Sequence, residues 1–211
     1  MNKDLKTKLK ILPFFSLESI KPQSKTNILP FLKYQKKKGE ILGLKKGVYV
    51  SKGFVEREKL KQEFEIYLEF LANKLLEPSY LSLGYVLSKH SLISEAIYEL
   101  TSITLKTSRR ITNDLGIFSY FKIKPSLFCG WRLIKKGNFL IKEATKAKAL
   151  FDFLYFQKRG LEKINPIFIK ELRLNLEEMQ SSDWFEFEKY LEISKSKKMK
   201  KIFKIIKEEL K

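Results

Sequence analysis

The stretch KKGEILGLKKGVYV, Lys37 to Val50, decides how the first quarter of this chain folds. Gly39 ends a basic helix, because glycine enters the left-handed conformation that closes helices without a steric penalty. Glu40 to Leu44 then reads as a strand, Lys45-Lys46-Gly47 as a turn and Val48 to Ser51 as the return strand. A helix stopped by glycine and followed by a glycine-turned ribbon is the ending expected of a winged helix-turn-helix.

Working backwards from that ribbon, Leu5, Leu9 and Leu12 fall at helical spacing among lysines and predict a short amphipathic helix closed by Pro13. Ser16 is a natural N-cap for a brief second helix to about Ile20, with Glu18 in its first turn. A third helix capped by Asn27 places Pro30 in the first turn, where its missing N–H costs nothing. A start at Ser24 would place Pro30 inside the helix, at about 3 kcal/mol. Ile28, Leu29 and Leu32 are then expected in the core, and Lys33, Tyr34, Lys36 and Lys37 along the outer side.

The net charge of +19 points to a polyanionic partner, although the excess of lysine over arginine also fits an AT-rich genome. Its distribution says more than its total. Residues 1–53 hold thirteen lysines against three acids; residues 54–194 hold 22 basic and 19 acidic residues; residues 195–211 hold eight lysines against two glutamates. The excess sits at the two ends. A single cysteine, Cys129, forbids an internal disulfide and fits a reducing cytoplasm, and no apolar run approaches the ~20 residues of a spanning helix. The expectation is a cytoplasmic protein without membrane attachment.

Beyond Phe54, Leu60, Phe64, Tyr67, Leu68, Leu71 and Leu75 form one helical stripe ending at Glu77-Pro78. A second helix enters from Ser82. Glu99 to Lys106 and Ile117 to Ile123 read as strands. Trp131 to Ile134 and Phe139 to Ile141 flank a hairpin turn at Lys135 to Asn138, and Ala144 to Gln157 returns to helix. The last fifty residues read as helices, with an aromatic patch at Trp184, Phe185, Phe187, Tyr190 and Leu191. Met199, Ile202, Phe203, Ile206 and Leu210 line a lysine-coated final helix, which could dock on the domain, add DNA contacts or lie on a membrane.

Support for catalysis is thin. His90 is the sole histidine, no metal-ligand spacing exists, and no glycine-rich phosphate loop or nucleophile elbow occurs. Glu143 beside Lys142 and Lys146, together with Asp152, are the only residues on which a DNA-processing enzyme could be built; their bland reading is helix capping and ion pairing. No metal and no cofactor are expected. The best-supported partner is double-stranded DNA, gripped by Lys25, Thr26, Asn27, Lys33, Tyr34, Lys36, Lys37, Lys38, Lys45 and Lys46. Asn27, Tyr34 and Gln35 are the residues able to read base edges.

The ribbon, followed by ANKLLEPSYLSLGYVLSKHSLISEAIYELTSITLKTSRR (Ala72 to Arg110), resembles the AbiEi antitoxins of type IV toxin–antitoxin systems in abortive infection. The resemblance covers roughly residues 14–157. It rests on Glu77 to Leu83, on Leu92 to Ala96 leading into Thr101 to Thr104, on Phe118 to Phe121 and on Ala144 to Tyr155. In the last segment Lys148, Ala149, Leu150 and Asp152 agree with the family, while Lys146 and Ala147 replace its Pro-Glu; Pro30 is a further departure. The resemblance implies repression of the chain's own promoter and neutralisation of a nucleotidyltransferase-like toxin without catalysis, direct binding of that toxin being left open. Lys106, Arg109 and Arg110 are the expected effector surface. The resulting expectation is an α+β chain: a winged helix-turn-helix at 1–53, then a mixed α/β domain at 54–211 with an antiparallel sheet and C-terminal helices. Its oligomeric state is left open. The rivals are a stand-alone winged-helix regulator with a ligand-sensing or dimerising second domain, and the DNA-processing enzyme.

Overall fold

Proline cannot extend a helix past its own nitrogen, and α1 (Lys3–Ile11) stops just ahead of Pro13. The computed structural model describes residues 3–20, 28–158 and 164–210, with side chains from residue 7 onward, so the Leu5 side chain lies outside the described part. Leu9 is buried, and Leu12 is exposed rather than part of the apolar face. A two-residue strand, β1 (Phe15–Ser16), precedes α2 (Leu17–Ile20). Ser16 caps that helix reciprocally: the Ser19 amide donates to Ser16 Oγ and the Ser16 amide donates to Ser19 Oγ, both at 3.1 Å. α3 (Ile28–Lys37) carries Pro30 near its described start; the expected cap at Asn27 lies outside the described residues. Ile28 and Leu32 are buried, but Leu29 is 43% exposed and Gln35 occupies the third inward position. The 3.6-residue period aligns 28, 32 and 35 and turns 29 outward.

Gly39 (φ +70°) closes α3, and β2 (Ile41–Lys45) with β3 (Val48–Ser51) forms the hairpin around Gly47 (φ +76°). β1 adds to the free side of β3, giving an antiparallel sheet ordered β1-β3-β2. The hairpin is not regular. Gly43 faces Tyr49 and Lys45 faces Val48, which leaves Leu44 as an extra, bulged residue. Lys45 therefore closes β2 instead of sitting in the turn.

Strand alternation gives the hairpin two apolar faces. Ile41 and the half-buried Tyr49 join Leu9, Phe15, Ile20, Ile28 and Leu32 in a small core. Leu44 and Val50 turn the other way, into the large core. No linker follows: α4 (Lys52–Leu60) starts at the end of β3, and α5 (Phe64–Leu75) follows after a break at Gln62 (φ +60°). The expected single stripe is thus split, and Leu60, 85% exposed, does not belong to it. Tyr67 ties the regions together by donating its hydroxyl to Pro13 O at 2.6 Å.

β4 (Ser79–Leu81), unforeseen in the sequence, leads into α6 (Leu83–Lys89). β5 (Leu100–Thr104), β6 (Arg109–Asn113), β7 (Gly116–Lys122), β8 (Trp131–Lys136) and β9 (Phe139–Ala144) complete a sheet ordered β6-β7-β5-β4-β9-β8. This sheet is mixed rather than antiparallel, because β5/β7 and β4/β9 pair in parallel. β6, which carries no strand signal in the sequence, places Arg109 and Arg110 on an edge strand. α7 (Lys146–Gln157), capped by Thr145, packs on α6 and α9. α8 (Pro166–Glu171), α9 (Ser181–Ser194) and α10 (Lys197–Glu209) finish the chain. Trp184, Phe187, Tyr190 and Leu191 are buried on α9, whereas Phe185 is 64% exposed. The fold is α+β.

Candidate nucleic-acid interface

Burying Ile28, Leu32 and Gln35 leaves α3 with one possible outer face. Lys33, Tyr34, Lys36, Lys37 and Lys38 are all exposed there, as expected from the sequence. The Lys38 ammonium lies 4.7 Å from the Tyr34 ring centroid, and its pKa is raised chiefly by the Tyr34 hydroxyl. A Cβ at Gly43 would come within 3.3 Å of Lys36 Nζ, so Lys36 crosses from α3 onto the hairpin. Lys46 is exposed in the turn. Lys25, Thr26 and Asn27 lie outside the described residues. Gln35 is 4% exposed and is unavailable to a base edge, which leaves Tyr34 as the described residue on this face with that capacity.

Lys45 departs from its expected place at the tip of the hairpin. Its ammonium donates to Leu75 O at the end of α5 (2.6 Å), and Asn113 Nδ2 donates to the carbonyl of the bulged Leu44 (2.9 Å). The hairpin is thereby fastened to the edge strand β6. Burial, followed by the charges of Lys106 and Arg109, pushes the Lys45 pKa down. One residue expected to touch DNA and two expected to form an effector surface therefore share one basic seam. Arg110 is set apart by its pairing with Glu99 at 3.3 Å.

A few charges of the large domain are buried and find partners there. Asp152 and Lys148, one helical turn apart on α7, are both fully buried and bonded to each other. Asp152 also accepts from Tyr80 Oη (3.0 Å) and Ser82 Oγ (2.8 Å). Ser82 spends its hydroxyl there rather than capping α6. Burial raises the Asp152 pKa against the pull of Lys148, Ser82 and Tyr80. The rings of Phe151, Tyr190 and Tyr80 surround the Lys148 ammonium at 5.2, 5.3 and 5.8 Å. The i, i+4 spacing of opposite charges inside an apolar helix was the signal for this pair.

Glu143 lies in a second network. Lys89 bridges Glu143 and Glu69 (2.7 Å to the latter), and Lys136 bridges the same two carboxylates at 3.0 and 2.8 Å. Tyr85 Oη donates to Glu69 at 2.9 Å. Burial works against the Glu69 charge, but Lys136 and Lys89 hold its pKa below the ordinary carboxylate value. The neighbours expected to serve Glu143 point elsewhere: Lys142 lies 5.3 Å from the Trp131 ring, and Lys146 pairs with Asp183 at 2.8 Å. His90 sits at the end of α6, its pKa lowered first by burial. Among the described residues, no group of three or more His, Cys, Asp and Glu side chains is arranged to hold a metal ion.

The basic tail docks on the domain. Met199, Ile202, Ile205 and Ile206 of α10 are buried, while Lys197, Lys200, Lys201 and Lys204 face outward. Leu210, expected in that stripe, is 42% exposed. Among the described residues no helix is long and apolar enough to cross a membrane. Comparison of the chain with protein-family models, with curated proteins and with solved structures returned no significant match.

Proposed function

We propose that residues 1–53 act as a winged helix-turn-helix that binds duplex DNA, with α3 in the major groove and the hairpin turn against the adjoining backbone. The observation that carries this reading is the exposure of Lys33, Tyr34, Lys36, Lys37, Lys38 and Lys46 on a module with its own small core. Lysines without carboxylate partners grip phosphate in a salt-sensitive manner, and a helix beside a short antiparallel hairpin is a geometry that fits a groove and its flank.

The larger region is proposed as the antitoxin part of a type IV system, countering a nucleotidyltransferase-like toxin while the small module represses the operon. Support for this half comes from the resemblance at Glu77 to Arg110 and Ala144 to Tyr155. The agreeing Lys148 and Asp152 form the fully buried pair on which the domain is built. The proposal includes no catalytic step, since the acids available for one are held in ion pairs. Co-expression with the adjacent downstream gene tests this half: rescue of growth by the full chain is expected. No rescue, or a downstream gene unrelated to nucleotidyltransferases, would remove the antitoxin role and leave the DNA-binding reading standing.

A cavity of about 290 Å³ favours one rival. It is lined by Leu68, Tyr85, Lys89, Ile97, Leu100 and the exposed Tyr98, and lies just under the roughly 300–1,000 Å³ of small-ligand sites. A stand-alone regulator sensing a ligand there would release its promoter on binding it, and would show no rescue in the same co-expression.

A further inference from the structure

Lys45, Lys106 and Arg109 converge on the C-terminal end of α5 from three different elements. Lys45 is brought there by the bulge in β2 and bonds Leu75 O at 2.6 Å. Lys106 follows β5, where Thr104 Oγ1 donates to Pro78 O (2.7 Å) and accepts from the Lys106 amide (3.2 Å). Arg109 opens β6 opposite Tyr120, whose hydroxyl reaches Ala72 O at 2.7 Å. Each side chain is exposed, and the Lys45 ammonium senses the other two charges.

Among the described residues, nearby negative charge offsets them only in part, with Glu77 acting on Lys45. The helix end supplies about half a negative charge against three positive ones. The two flanking carboxylates are already taken, Glu77 by Lys74 (2.7 Å) and Glu99 by Arg110 (3.3 Å). An excess of like charge opposes folding, yet Asn113 and the bulge fasten the hairpin beside Lys45 to the edge strand. Two ammonium groups and a forked guanidinium match the several oxygens of a phosphoryl group, which lysine meets as a point charge and arginine in two-pronged fashion.

We propose that Lys45, Lys106 and Arg109 form a phosphoryl-binding site at the seam between the hairpin and the edge of the large sheet. Its occupant bridges the two regions and stiffens their junction. The phosphoryl group belongs either to a small phosphate ester or to a nucleic-acid backbone. The site does not depend on α3 reading DNA.

The test is thermal unfolding of the full chain in inorganic phosphate, with sodium chloride at equal ionic strength as the control. The parent is expected to show a saturable rise in Tm with phosphate beyond the chloride control, as a ligand binding only the folded state requires. Arg109→Gln, at an exposed edge position, and Lys106→Met with Arg109→Gln are both expected to flatten that response. Salt titration of duplex binding then assigns the source. A slope of log K against log salt reduced by about two in the double variant marks a backbone phosphate. An unchanged slope with the Tm response lost marks a free phosphate ester. An equal Tm rise in chloride, or a phosphate response retained by both variants, would overturn the site. Loss of duplex binding in α3 variants with an intact phosphate response would separate this site from the DNA-reading face.

Discussion

The two regions of this chain handle charge in opposite ways. Along α3 and the hairpin turn, Lys33, Lys36, Lys37 and Lys46 are exposed, and folding asks little of them. In the large domain, Lys148, Asp152, Glu69 and Glu143 are each at most 6% exposed and meet opposite charges. A buried charge survives only when paired and hydrogen-bonded, so the inner charges organise structure. The outer ones remain open to a partner. The seam at Lys45 combines the two, being partly shielded, close to like charges and fastened to a carbonyl.

The sharpest way to break this contrast is at Asp152. Asp152→Ala leaves Lys148 charged and alone among three aromatic rings, and a loss of about 3–5 kcal/mol in urea-derived stability is expected. A loss below about 1 kcal/mol would mean that the pair is not the structural element described.

Acid should come next. Glu69 has a folded pKa below its unfolded value of about 4.3, so its contribution is complete above that value and is lost as pH falls through the folded pKa. The Lys136 pKa is raised: burial alone would lower it, but Glu69 and Glu143 hold it up. Its contribution is complete below the ordinary lysine value and disappears only at strongly alkaline pH. The urea midpoint is therefore expected to be flat between about pH 7 and 8. It should begin falling below the ordinary histidine pKa of about 6.5, as His90 charges in the unfolded chain, and drop further towards about pH 3. In Glu69→Gln the acid drop should shrink; an undiminished drop would place the sensitivity elsewhere.

The smallest effect on stability belongs to Arg110. Its pair with Glu99 is largely exposed, with 60% of the arginine side chain and 34% of the glutamate accessible. Arg110→Ala is expected to cost no more than about 0.5 kcal/mol, and a larger cost would show that the edge strand depends on that pair.

Local chemistry made several of these elements legible before the structure. Gly39 and Gly47 fixed the hairpin, and Gly137 with Asn138 marked the turn between β8 and β9. Elements defined by distant partners were not legible. β4 is three residues long and is a strand only because Tyr80 lies opposite Ile103, with Leu81 beside Glu143. β6 reads as a run of charged and polar residues until β7 pairs with it. Leu60 continued an apolar stripe that the break at Gln62 interrupts. At the site, helical periodicity placed Lys33, Lys36 and Lys37 outward, but the bulge that turns Lys45 to the end of α5 and the burial of Gln35 depend on tertiary contacts. Gly43, a glycine inside a strand pattern, was the one local hint of that bulge.

The central claim is that α3 and the hairpin turn present the DNA-binding face. Salt-dependent binding of the chain to a duplex carrying its own promoter tests it most directly, comparing the parent with Lys36→Ala plus Lys37→Ala. The account predicts weaker binding to every sequence, with a slope of log K against log salt reduced by about two in the double variant. Equal affinity and an equal slope in parent and variant would contradict it.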